Sequence, residues 1–441
     1  MPEQYTSIVD TSMASNELLS SAPERALLIG VSLPNDQWPV QESLDELEQL
    51  AVTAGVTSMG RVTQRLSRPH AATLLGKGKV QEIADLVKYH DCDGVIFDVE
   101  LTPGQHRVLE RELGVPVLDR TALILIIFGQ RARTREGRLQ VELAQIEYDL
   151  PRLARQWSHL SRQKGSMQQR GEGEKQIEID RRMLRRQKEQ LQEELEHVRT
   201  HRQLHRERRK DTGAPVVALV GYTNAGKSTL LNRLADAHSH AEDKLFATLD
   251  PMMRRARLDG GQELLLSDTV GFVQRLPTTL VAAFRSTLEE VAEADLLVHV
   301  VNAAYPAMQL QVDAVEQVLE EIGAGDRPVI IALNKVDLLP DGDIPALTGK
   351  AATLPTVTVS ALRGTGIADL LHCISQQLNS GFVPLDVLIP YDRGDLVALF
   401  HQYGMIDNEC YEEGGTRLHG HMPANHSGPM MGFRVKLKRS K

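Results

Sequence analysis

At 441 residues and 48.9 kDa the chain is about three times the ~150-residue prior for one domain, so roughly three cores with connectors are expected. Its 41% hydrophobic and 25% charged residues match soluble globular chains and argue against a disordered, collagenous or membrane-spanning protein. The net charge of −9 disfavours polyanion binding by the whole molecule, but residues 151–210 carry 17 Lys/Arg against 9 Asp/Glu, which marks that segment as a candidate surface for nucleic acid.

Residues 1–23 have neither a basic start nor an apolar core and read as a disordered leader rather than a secretory signal. Residues 26–33 (ALLIGVSL) form an apolar strand, and Leu44, Leu47, Leu50 and Ala51 have helical spacing. The alternation recurs: Thr57–Thr63, a turn at Gly76-Lys77-Gly78-Lys79 opening a helix to Tyr89, Gly94–Val99, a helix from Gly104, and Val115–Leu118. Repeated β-then-α units predict a small parallel α/β domain over residues 24–137. Its glycine-lysine turn suits either an anion or a plain tight connection. The longest apolar stretch, Thr121–Phe128, is far below the ~20 residues of a membrane span.

Leu139, Leu143, Ile146, Leu150, Leu153, Trp157 and Leu160 alternate at four and three residues, and Ile177, Leu184, Leu191 and Val198 repeat every seven. Two helices over residues 138–213 are predicted, paired antiparallel as a coiled-coil hairpin, with Gly165–Gly173 as a helix-breaking tip and a kink at Pro151. The hairpin carries the basic excess, with Lys164 and Arg170 at its tip, and reads either as an RNA probe or as an interdomain spacer.

At Val216 an apolar strand, VVALV, runs into Gly221-Tyr222-Thr223-Asn224-Ala225-Gly226-Lys227-Ser228-Thr229 and a helical continuation. This is G-x-x-x-x-G-K-S in its strand-loop-helix context, where backbone N–H groups wrap phosphates, Lys227 reaches the β and γ oxygens and Ser228 ligates Mg²⁺. Asp268-Thr269-Val270-Gly271 follows an apolar strand, placing an acid for Mg²⁺ and an amide for the γ-phosphate. Asn334-Lys335-Val336-Asp337 ends another strand. A carboxylate there accepts hydrogen bonds from guanine N1 and N2, which adenine cannot match, so GTP and GDP are the expected ligands. The domain is expected over residues 214–381.

With Phe246-Ala247-Thr248-Leu249-Asp250 and Ser360-Ala361-Leu362, this set resembles the translation-factor class of P-loop GTPases. The resemblance makes Thr248 the switch threonine on Mg²⁺ and lets the Ser360–Leu362 backbone support guanine O6. The implied catalytic set is Lys227, Thr248 and Gly271, and the implied Mg²⁺ ligands are Ser228, Thr248 and Asp268. Phe272 stands where Ras-like proteins carry a water-orienting glutamine, so a slow intrinsic rate raised by a partner is expected. Asn224 resembles the asparagine of potassium-activated GTPases, making K⁺ a second candidate cofactor. It equally suits a bracing role in the turn.

Over Leu27–Lys441 the chain resembles the HflX family of the Obg-HflX superfamily, through Gly76–Val80, Asp119-Arg120-Thr121, Arg131–Gly137, Gln140–Ala144, Leu150–Leu153 and Asp180-Arg181-Arg182. The resemblance implies a cytoplasmic factor, with peripheral membrane association a further option. It would bind the 50S subunit and 23S rRNA, as a monomer and without DNA sequence recognition, and dissociate 70S ribosomes or rescue stalled ones. At the hairpin tip Gly165, Arg170, Gly171, Gly173 and Glu174 match the family, whereas Ser166 and Gln168 replace glycines and Glu172 replaces proline. The alternative is therefore a ribosome- or RNA-binding regulator that uses GTP as a switch without efficient splitting. Residues 382–441 read as a small α+β domain, with a helix at Leu396–Phe400 and a late strand at Phe433–Leu437. Its histidines (His401, His419, His421, His426) and the three separated cysteines lack metal-ligand spacing.

Overall fold

The computed structural model describes residues 22–34, 36–156, 170–210, 214–235, 246, 252–258, 263–274, 285–340 and 343–435. Its first sheet is parallel, in the order β2-β1-β3-β4, from β1 (Arg25–Ser32), β2 (Thr57–Arg65), β3 (Gly94–Phe97) and β4 (Val117–Asp119). From Ala26 to Val31 the strand β1 carries no polar side chain because both faces are covered. Ala26 and Leu28 point into one core with α1 (Val40–Ala54), and Leu27, Ile29 and Val31 point into the other with α2 (Lys77–Tyr89) and α3 (Pro103–Leu113). A Thr102 capping box with Pro103 starts α3, and Gly114, in the left-handed region at φ 72°, ends it.

The apolar run Thr121–Phe128 becomes α4 (Arg120–Arg131), a helix capped by the Asp119 carboxylate, which accepts from the Ala122 N–H at 2.9 Å. Every residue from Arg120 to Phe128 is buried, the signature of a helix enclosed on all sides. It is covered by α1, by the next helix α5 (Arg135–Gln156), and by residues of the second sheet unit. Phe128 meets Phe246 edge-on at 4.6 Å.

In the hairpin, α5 runs antiparallel to α6 (Arg170–Lys210), joined by Arg135–Glu194, Gln187–Glu142 and Lys188–Glu147 pairs. Leu139, Leu143 and Ile146 bury against Leu184 and Leu191, as the heptad spacing requires. The helix α5 continues through Pro151. One expectation is corrected: Gly171 and Gly173 are helical, within the described part of α6, rather than part of a helix-breaking tip. Trp157, Leu160, Lys164, Gly165, Ser166 and Gln168 lie outside the described residues.

The second sheet has the order β10-β9-β8-β5-β7-β6, from β5 (Val216–Val220), β6 (Met252–Arg257), β7 (Glu263–Asp268), β8 (Leu296–Asn302), β9 (Val329–Asn334) and β10 (Thr356–Thr358). All pairings are parallel except β6 with β7. Successive connections from β5 leave to opposite sides, opening a crevice at the carboxyl end of β5, where α/β sheets bind ligands.

The last unit is an antiparallel sheet, β11-β13-β12, of β11 (Phe382–Ile389), β12 (Met405–Glu412) and β13 (Gly415–Pro423). A helix over Gly394–Tyr403 buries Leu396 and Phe400 against it. Of the expected late strand, Phe433 is corrected, since it ends a 3-10 helix (Gly428–Phe433), and Lys436 and Leu437 lie outside the described residues. Arg434 then bridges to Val387 and donates to the Pro384 carbonyl (2.8 Å), and the Val435 N–H donates to the Asp386 carbonyl. His419 and His421 share Asp407, His401 pairs with Glu409, and no cluster of three metal-ligating groups occurs among the described residues. No described helix is long and apolar enough to cross a membrane.

Phe128→Ala should remove ~3–5 kcal/mol, because the enclosed helix cannot close the space left by the ring. A denaturant melt monitored by circular dichroism should show a lower midpoint for the unit that contains the first sheet.

Candidate active site

The sequence places its chemistry in the loop that follows β5, and the structure bends that loop through two left-handed residues, Asn224 (φ 58°) and Gly226 (φ 96°). Side chains are excluded on both flanks. A Cβ on Gly221 would lie 2.3 Å from the Val300 carbonyl oxygen, and one on Gly226 2.3 Å from Asn334 Nδ2. Lys227 opens α7 (Lys227–Leu234), with Ser228 and Thr229 in its first turn. Its Nζ donates to the carbonyls of Gly221 (3.0 Å) and Tyr222 (2.9 Å). Burial pushes the ammonium down to about 8 against the pull of Asp268. His299, paired with Val220 across β5 and β8, is pushed down to about 3 by burial and by Lys227, and so is neutral.

The end of β7 is stitched to the loop by backbone. Thr223 N–H donates to the Phe272 carbonyl (2.7 Å) and Phe272 N–H to that of Gly221 (3.1 Å), while Thr269 Oγ1 donates to Leu219 O (2.8 Å). Gly271 is thereby held against the loop, where a Cβ would sit 2.7 Å from Thr223 Cγ2 and 3.0 Å from Lys227 Nζ. Ser228 Oγ donates to Asp268 Oδ2 at 2.7 Å, while Asp268 Oδ1 and Thr223 Oγ1 are buried without protein partners. A buried carboxylate oxygen left open beside a hydroxyl fits an ion or its water, since such a group otherwise costs ~1–3 kcal/mol. Phe272 is 2% exposed and turned into the core with Leu288 and Val291, away from any role in orienting water.

Asn334 clamps two segments. Its Nδ2 donates to the Ala225 carbonyl (2.8 Å) and its Oδ1 accepts from the Ala361 N–H (2.9 Å). Lys335, itself at φ 64°, reaches Asn224 Oδ1 at 3.3 Å, a bracing contact across the loop. Asp337 accepts from Ser360 Oγ (2.6 Å), and Arg233 holds the carbonyls of Ala361 and Leu362. The Leu362 side chain is exposed. Ala247 and Thr248 lie outside the described residues. Phe246 is buried against Phe128, and Val270 shares the core of the first sheet unit.

Sequence reasoning missed the groups that meet this site from the first unit. Tyr222 donates its hydroxyl to Glu46, Trp38 stacks on its ring, and Tyr305 donates to Glu42. Nothing in local spacing signals these contacts. Arg120 drew notice only as part of the Asp119-Arg120-Thr121 motif.

A parallel sheet that presents a glycine-bent phosphate loop, an acid at the next strand end and an Asn/Asp pair beyond defines a P-loop GTPase. Family models agree along the chain. Residues 41–129 match "GTP-binding GTPase N-terminal", residues 131–209 "GTP-binding GTPase Middle Region", and residues 216–335 "50S ribosome-binding GTPase". The chain is 44% identical to the GTPase HflX of Escherichia coli over 396 residues, covering 90% of this chain and 92% of the relative. It is 43% identical to that of Lacrimispora saccharolytica over 406 residues, covering 92% and 95%. The chain belongs to the HflX family of GTPases and hydrolyses GTP to GDP and phosphate.

Asn334→Ala should leave the Ala225 carbonyl and the Ala361 N–H unpaired in a buried setting, at ~1–3 kcal/mol each. Titration with fluorescent GDP should show at least about tenfold weaker binding, and an unchanged affinity would contradict the clamp.

Proposed function

We propose that the loop Gly221–Thr229 binds the phosphates of GTP and GDP, that Asn334 and Asp337 recognise guanine, and that the protein uses this cycle on the large ribosomal subunit. The reading rests on one convergence: Lys227, the Ser228–Asp268 pair and the Asn334–Ala361 clamp meet at one edge of one sheet. Lys227 would exchange its two carbonyl partners for phosphate oxygens, and the Gly271 amide would meet the γ-phosphate. Ser228 and Asp268, with Thr248, would hold Mg²⁺, which when bound offsets charge on the β- and γ-phosphates. Since Phe272 is turned into the core, the group that orients water comes from elsewhere, and low intrinsic turnover with stimulation by a partner follows.

The basic excess of residues 151–210 suits rRNA phosphates, and the family of residues 216–335 is described by 50S binding. Acting there, the protein would work in the cytoplasm and dissociate 70S ribosomes or rescue stalled ones. A second reading has its own support. Ser166 and Gln168 stand where the family pattern has glycines and Glu172 where it has proline, which favours a ribosome-bound regulator without efficient splitting.

GTP hydrolysis measured with and without 50S subunits, in K⁺ and in Na⁺, together with light scattering of 70S ribosomes, tests both. Stimulation with falling scatter supports the splitting factor, stimulation without it supports the regulator, and an unchanged rate rejects a ribosomal role. A rate indifferent to K⁺ would leave Asn224 as a brace. Lys227→Ala should abolish nucleotide binding, and EDTA should abolish hydrolysis until Mg²⁺ is restored. Asp337→Asn should shift preference from GTP toward XTP, because an amide can donate to the xanthine carbonyl that replaces the guanine amino group.

A further inference from the structure

Asp119 and Arg120 are consecutive in the chain and serve different neighbours. Asp119, fully buried, accepts from the Tyr148 hydroxyl (3.0 Å) and from Arg152 (3.1 Å), both on the first helix of the hairpin. Arg152 also lies over the Tyr148 ring, 3.3 Å from its centre. Arg120, 2% exposed, donates to Asp98 (2.6 Å) and to the Ser43 carbonyl (3.1 Å), and crosses to the Gln274 carbonyl (3.3 Å).

Glu46 lies 3.5 Å from the same guanidinium and accepts the Tyr222 hydroxyl proton at 2.7 Å. That hydroxyl accepts in turn from the Gln274 N–H at 2.5 Å. Tyr222 is the second residue of the phosphate loop, and Gln274 stands three residues past Gly271. Burial raises the Glu46 carboxyl pKa against the pull of Arg120, while Asp98 and Glu46 keep Arg120 charged in spite of its own burial. Phe246, Val270 and Val273 pack into the same core, so residues flanking both switch segments rest on the first sheet unit.

A buried charged network of this kind is stiff and has discrete arrangements rather than a continuum. The segment after Gly271 is the part of a GTPase that must respond to the γ-phosphate. We infer that Asp119 and Arg120 join the first helix of the hairpin, at Tyr148 and Arg152, to the nucleotide site, with Glu46 as the positioning residue that ties Tyr222 of the phosphate loop to the Gln274 amide. The first unit thereby sets the relative affinity for GDP and GTP, and a polyanion engaging the hairpin alters that ratio through Arg152 and Asp119. This rests on the reading of Gly221–Thr229 as the nucleotide site.

The test uses the full chain and the release rates of fluorescent GDP and of a fluorescent non-hydrolysable GTP analogue. Arg120→Ala would strand two buried acids and unfold the unit, so Tyr222→Phe, which removes one oxygen, is the variant of choice, with Glu46→Gln beside it. Each should change the ratio of the two release rates by at least about fivefold at a temperature where the variant is still folded, with some loss of melting temperature expected from the broken network. The double variant should show less than the product of the two effects. A merely structural role would move both rates together. Arg152→Gln should also shift the ratio and be non-additive with Glu46→Gln, and silence there overturns the hairpin link. Binding of both nucleotides with a ratio within about twofold of wild type in every variant overturns the coupling alone. A wild-type chain that binds neither nucleotide overturns the site reading as well.

Discussion

Keeping a strongly bent loop open at the end of a fully buried strand is the constraint on which the molecule is organised. β5 is covered on both faces, and its chain must leave the sheet through Gly221 and turn through Asn224 and Gly226. No helix or strand ladder holds such a segment, so its neighbours do: Phe272 pairs with it by backbone, Asn334 grips the Ala225 carbonyl, and Lys227 bonds back to Gly221 and Tyr222. Two of these supports come from the ends of other strands, β7 and β9, and the third from the helix that the loop itself opens. The sheet order therefore decides the site as much as the loop's own residues do.

The same geometry explains why two sheet units are needed. The loop's outward face carries Tyr222, whose aromatic ring and buried hydroxyl require both an apolar cover and a hydrogen-bond partner. Trp38 and Glu46 supply them from the first unit. Glu46 is itself tolerable there only because Arg120 stands nearby, and Arg120 only because Asp98 neutralises it. Breaking one member would leave a buried charge uncompensated, at ~3–5 kcal/mol. Polar groups that must be satisfied together fix one docking of the two units, where an apolar contact alone would permit sliding.

The helices divide into two kinds with different duties. α4 is enclosed and rigid, and its N-terminus carries the Asp119 and Arg120 side chains that face the hairpin and the second sheet. α6 is largely exposed and charged, held to α5 by a narrow seam of leucines and a few ion pairs. Surface pairs of that kind contribute little stability, which leaves the basic side chains of the hairpin available to an anionic surface.

Much of this was legible in the residues because it depends on neighbours in the chain. The alternating faces of β1, the Thr102–Pro103 helix start and the heptad of Leu184 and Leu191 follow from backbone periods and local capping. The G-x-x-x-x-G-K-S run announced a phosphate loop because its glycines answer a local steric demand. The strands β12 and β13 were not legible, since polar residues such as Asn408, Glu409, Arg417 and His419 interrupt any apolar alternation there. Nor was the helical state of Gly171 and Gly173, since glycines usually mark a break. By itself the sequence determined the strand-loop-helix units, the GTPase motifs and the basic charge of the hairpin, all set within a few residues of each other. Only the tertiary structure decided that Glu46 meets Tyr222 across 176 positions and that Arg120 reaches Gln274 across 154. Such contacts arise from the mutual satisfaction of buried polar groups when two cores dock, and no local period encodes that.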